Sequence, residues 1–121
     1  MKPSVSIVYS EISVLKTLDK LLSEGGFKTY PYYSPEEALA WAHHRHPDLY
    51  LINYKNIHMT GIEFYKELKK ETDYYKLNLK AVFISSHHDK EQICLEVGGL
   101  DFIRVPFNKK DVLEVINKYR S

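Results

Sequence analysis

Short apolar runs alternate along this chain with stretches whose apolar residues recur every three or four positions. Val5, Ile7 and Val8 predict a first strand. Val14, Leu15, Leu18, Leu21 and Leu22 share one helical face, and Gly25-Gly26 stops that helix. Phe27 to Tyr30 predicts a second strand. Ser34-Pro35-Glu36-Glu37 is a helix start, with Ser34 as cap, Pro35 in the first turn and Glu37 completing a capping box. The helix it opens carries Ala38, Leu39 and Trp41 and ends before Pro47. Residues 48 to 53, DLYLIN, read as a strand buried on both faces. Thr60-Gly61-Ile62-Glu63 is a second capping box, and Ile62, Tyr65 and Leu68 line the inner face of its helix. LKAVFI, 79 to 84, predicts a fourth strand, and Asp89 to Val97 a short helix closed by Gly98-Gly99. DFIRV, 101 to 105, predicts a fifth strand, and Asn108 caps a last helix that turns Val112, Leu113, Val115, Ile116 and Tyr119 inward.

Five strand–helix pairs in strict alternation imply an α/β fold, a doubly wound parallel sheet with helices on both faces. Such a sheet places its site at the carboxyl ends of its strands, beside the point where strand order reverses. The residues at those ends are Tyr9, Ser10 and Glu11, then Asn53, then Ser85 and Ser86, then Val105 and Pro106.

Composition narrows the function classes. A chain of 121 residues is long enough for one domain with a real core, read as 1–121. A formal net charge of +1 gives no global field toward nucleic acid or an anionic membrane. Cys94 is the single cysteine, so no internal disulfide forms, as in a reducing compartment. The apolar opening is broken by Ser4 and Ser6, too short for a signal peptide, and no apolar run reaches the length of a membrane span. A cytoplasmic location is expected.

Four segments in order carry a family resemblance. They are SPEEAL at 34–39, PDLYLIN at 47–53, MTGIEFYKEL at 59–68 and GGLDFIRVPF at 98–107. In them the chain resembles the response-regulator receiver domain, the CheY-like, flavodoxin-like phosphoacceptor module of two-component signalling. The resemblance implies a (βα)5 fold over essentially the whole chain. It also implies a pathway role with a protein partner, a kinase or an output domain, and no direct contact with nucleic acid or membrane.

The family's chemistry does not follow. Receivers transfer a phosphoryl group to an aspartate with magnesium in place. The acceptor position falls on Asn53, whose amide oxygen is a poor nucleophile. The acidic pair that helps hold magnesium falls on Tyr9 and Ser10, both neutral at pH 7. The lysine position falls on Val105, and only the hydroxyl position is kept in kind, as Ser85. Phe102 falls on the aromatic position that reports phosphorylation to a surface built from the fourth helix, fifth strand and last helix. Lacking a hydroxyl, Phe102 is expected to hold a buried rotamer, and a plain core aromatic is the competing reading. The expected molecule is a receiver-like domain that is not an enzyme, holds no cofactor or metal, and acts by protein–protein contact. Two rival readings are an unconventional phosphoacceptor and a small-ligand sensor using the vacated pocket.

Other features have plainer readings. Ser10 is expected to cap the first helix, and Tyr9 to plug the vacated pocket. Asn53 is either a functional amide or a strand-end group satisfied by backbone. His43, His44, Arg45 and His46 form a basic run at a helix end, where cations suit the dipole. With His87 and His88 they lack the ligand number of a firm metal site. Lys109-Lys110 reads as a solvated first turn, and Cys94 as a small hydrophobe.

Overall fold

The computed structural model describes residues 1–120 and has five parallel strands and five α-helices in strict alternation. Ser121, the last residue of the 1–121 boundary, lies outside the described residues. The strands are β1 (Ser4–Val8), β2 (Lys28–Tyr32), β3 (Leu49–Asn53), β4 (Ala81–Ser85) and β5 (Asp101–Arg104). The helices are α1 (Ile12–Glu24), α2 (Pro35–Trp41), α3 (Gly61–Tyr74), α4 (Glu91–Val97) and α5 (Lys109–Tyr119), with a 3-10 turn at His88–Lys90 leading into α4. Strand order is β2-β1-β3-β4-β5, so the order reverses between β1 and β3. This is the flavodoxin-like (βα)5 arrangement.

The pleat sorts side chains into two cores. Val5, Ile7, Leu49, Leu51, Val82, Ile84 and Ile103 pack under Leu15, Leu18 and Leu22 of α1 and Val112 and Ile116 of α5. Val8, Tyr50, Ile52, Ala81, Phe83 and Phe102 face the other way, under Ala38, Phe64, Tyr65, Leu68 and Cys94. Every residue of β3 and β4 is buried, as expected of central strands covered on both faces.

Local chemistry sets the boundaries. At α3 the full box forms: Thr60 Oγ1 accepts the Glu63 N–H (3.1 Å) and Glu63 Oε1 accepts the Thr60 N–H (2.8 Å). At α2 only half forms, the Ser34 oxygen accepting the Glu37 N–H at 3.2 Å. Asn108 caps α5 by accepting the Asp111 N–H (2.8 Å). Strand β2 begins and ends later than the periodicity suggests. Phe27 is buried just ahead of it, and Pro31 sits inside it opposite Ile7. β2 is an edge strand, where a proline is tolerated.

Candidate functional site at the strand ends

The carboxyl ends of β1 and β3 flank the point where strand order reverses, and a hydrogen-bonded seam closes the gap between them. The Ser10 N–H donates to Asn56 Oδ1 (3.0 Å), and Asn56 Nδ2 donates to the Asn53 carbonyl (2.6 Å). Asn53 Nδ2 donates to the Lys55 carbonyl (2.8 Å). One side chain from the β3–α3 loop thereby ties the end of β1 to the end of β3. Asn56 had no signal in the sequence. It belongs to no periodic pattern, and its partner lies 46 residues away.

Ser10 does not cap α1. The N-cap is Glu11, which makes no side-chain capping bond, while Ser10 Oγ donates to the Tyr33 carbonyl (2.6 Å). The reason is geometric. The extended cap position falls one residue later, on Glu11, and the Ser10 hydroxyl is turned to the Tyr33 carbonyl just past β2. The Tyr9 N–H continues the ladder to the Tyr32 carbonyl (3.1 Å). The Tyr9 side chain is 4% exposed and joins the α1/α5 core, against which Val105 and Phe107 also pack. Burial, and secondarily the charge of Glu11, push the Tyr9 phenol above its usual range, so it stays neutral.

Asn53 is 8% exposed. Ser85 is buried and its Oγ accepts the His87 N–H (2.8 Å), which shapes the turn leading to α4. The Val105 N–H donates to the Ser85 carbonyl (3.0 Å), and the Val105 carbonyl lies 2.8 Å from His88 Nε2. The Val105–Pro106 bond is cis. Tyr9, Ser10, Asn53, Ser85 and Val105 therefore gather at one end of the sheet. Phe102 sits apart on β5, paired with Phe83 and buried at 8% exposure in the α2–α4 core. The wider grooves of the surface are lined by other residues, on the outer faces of α3 and α5 and between α1 and α5.

Cys94 lies fully buried under the sheet, and desolvation pushes its thiol up to about 11. Native protein at neutral pH should therefore leave iodoacetamide unreacted for hours, and alkylation should follow urea unfolding. Rapid labelling of the folded chain would contradict that burial.

The fold defines a class: a doubly wound α/β domain whose strand order reverses between β1 and β3, with the candidate residues at the carboxyl end of the sheet. The chain belongs to the response regulator receiver domain family, whose model matches residues 5–117. It is a receiver domain of two-component signalling. Among curated relatives, it is 28% identical over 119 residues to the polar-differentiation response regulator DivK of Brucella abortus, covering 98% of this chain and 97% of DivK. It is 27% identical over 85 residues to the cyclic di-GMP phosphodiesterase response regulator RpfG of Xanthomonas campestris, covering 70% of this chain but 22% of RpfG. In structure it is similar to the response regulator TrrA of Thermotoga maritima, solved with Mg2+ and BeF, at a TM-score of 0.85 and 19% identity, with 98% and 99% of the two chains covered. That likeness shows the fold. Receiver domains are in general non-enzymatic modules that meet kinases and output domains. No helix among the described residues is long and apolar enough to cross a membrane.

Proposed function

We propose that this receiver domain does not accept a phosphoryl group. In this reading it signals in the cytoplasm by docking to a protein partner, a kinase or an output domain of a two-component pathway. The observation that carries the reading is the donor set at the switch point. Around Asn53 the oxygens in the seam, Asn56 Oδ1 and the Asn53 and Lys55 carbonyls, are neutral, and each already accepts an N–H, from the Ser10 amide, the Asn56 side chain and the Asn53 side chain respectively. Magnesium needs several hard oxygens, usually with one or two carboxylates among them. Tyr9, Ser10 and Asn53 supply no carboxylate, and the Tyr9 ring lies in the core rather than over an open cleft. The residues present do not fit the metal, and without it a phosphoryl transfer has nothing to offset its developing charge.

A contact surface is available on the fourth helix and fifth strand. Ile93, Leu95 and Leu100 are 48%, 39% and 39% exposed there, and Arg104 reaches Glu91 at 3.1 Å beside them. Intact-mass measurement after incubation with acetyl phosphate and millimolar magnesium tests the proposal. No added phosphoryl mass is expected, and a parallel magnesium titration should leave the amide resonances of Tyr9, Ser10 and Asn53 without a saturable shift. A hydroxylamine-labile adduct on the wild-type chain would overturn the reading in favour of an unconventional phosphoacceptor.

A further inference from the structure

The three histidines of the basic run after α2 are exposed, as a solvated helix end predicts, but Arg45 among them is held in place. The Arg45 guanidinium lies 4.0 Å from the centre of the Tyr30 ring and 4.6 Å from that of Trp41, and its Nη1 donates to the Tyr32 hydroxyl (2.8 Å). Lys28 Nζ lies 5.7 Å from the same Tyr30 ring. Two cations thus converge on one aromatic ring at the β2 edge, and among the described residues neither has a carboxylate partner. Other acids have partners of their own: Glu71 lies 2.6 Å from His43 Nδ1, Asp48 accepts the Ser4 N–H (2.8 Å), and Asp19 accepts the Thr29 hydroxyl.

We propose that Arg45, held between Tyr30 and Trp41 beside Lys28, receives a carboxylate from an acidic, aromatic-bearing segment of a protein partner. Four observations support that occupant. A guanidinium locked by stacking and one hydrogen bond has lost its rotamer freedom before binding, and it presents a planar fork suited to a carboxylate. Two like charges drawn to one ring repel, and an arriving anion relieves that repulsion. Trp41 is 44% exposed beside the guanidinium, so an apolar contact adjoins the charged one. Tryptophan, tyrosine and arginine are also the residue types that dominate interface energetics. Tyr32 connects this patch to the strand-end seam, because its hydroxyl holds Arg45 and its carbonyl accepts the Tyr9 N–H. The proposal stands whether or not Asn53 takes a phosphoryl group, since its readout is binding and not labelling.

Trp41 is the chain's single tryptophan, so its fluorescence reports the site directly. Panning a random phage-displayed peptide library on the whole chain should enrich sequences with Asp or Glu beside an aromatic residue. The synthesised winners should shift Trp41 emission saturably and bind more weakly as salt rises. Arg45→Gln should weaken them about tenfold or more, as expected when a charge-assisted pair is lost. Arg45→Lys and Lys28→Gln should each weaken them severalfold, with far-UV circular dichroism confirming that all three variants fold. The proposal is overturned if acidic sequences are not enriched, or if the winners bind Arg45→Gln as well as wild type. It is equally overturned if a single-stranded oligodeoxynucleotide binds more tightly with the same Arg45 dependence, which would make the partner a nucleic acid.

Discussion

Gly61→Ala is expected to destabilise the domain by roughly 3 kcal/mol, the upper end of what overpacking a tight site costs. Gly61 is the first residue of α3, and its N–H donates to the Tyr54 carbonyl at 2.6 Å. A Cβ there would press on the Asn53 carbonyl oxygen far inside van der Waals contact, and would meet Ile52 Cγ2 at 3.0 Å and Tyr54 Cα at 3.1 Å. Two of these three neighbours are backbone of β3 and its exit loop, so no rotamer change clears the space. Helix propensity favours alanine by at most about 1 kcal/mol, the helix-interior figure, so the two effects oppose and the clash decides the sign. The same Asn53 carbonyl accepts the Asn56 amide, so moving it also loosens the seam to Ser10. Urea unfolding should show a lower midpoint at an unchanged slope. A midpoint equal to or above that of the wild type would remove the close-approach argument.

That glycine was readable in the sequence, because it follows the cap residue of the Thr60-Gly61-Ile62-Glu63 box and stands at the characteristic glycine of the segment at 59–68 that resembles the family. The central strands were readable for a similar reason: complete burial demands an unbroken apolar run, and residues 49–52 supply one. Edges and loops were less legible. The second strand was read as Phe27 to Tyr30, yet β2 runs on through Pro31 to Tyr32, because an edge strand spares the ladder bond that proline lacks. The start of α4 slipped because His88–Lys90 is a 3-10 turn shaped by Ser85 Oγ, a contact that periodicity does not encode. Ser10 has the right chemistry for a cap but is directed to Tyr33 by tertiary structure. The positions of the strand-end residues could be placed by resemblance, whereas the Asn56 seam that joins them, and the stacking of Arg45 on Tyr30 and Trp41, exist only once the chain has folded.

Repairing the site should need several changes together. Asn53→Asp alone is expected to stay unlabelled by acetyl phosphate, because nucleophile, metal ligands and cation act as a unit and contribute non-additively. The lone carboxylate would also face the Lys55 carbonyl that now accepts the Asn53 amide, replacing an attraction by a repulsion. The variant Tyr9→Asp, Ser10→Asp, Asn53→Asp, Val105→Lys supplies the nucleophile, two anionic oxygens for magnesium and a cation. It also removes a core aromatic that is 4% exposed, a loss of about 3–5 kcal/mol on the scale of buried aromatic truncations. Against a typical domain stability of roughly 5–15 kcal/mol, that variant should be marginal without metal and gain stability as magnesium is added. Thermal unfolding with and without magnesium reads this directly. Intact mass under the magnesium condition should then show one hydroxylamine-labile phosphoryl adduct. Should the fourfold variant fail to fold, the version that keeps Tyr9 and carries the other three changes retains the core, and slower magnesium-dependent labelling is expected of it. Ready labelling of Asn53→Asp alone would mean that the seam of Ser10, Asn56 and Asn53 opens to admit magnesium, and the claim that this site cannot hold the metal would fall.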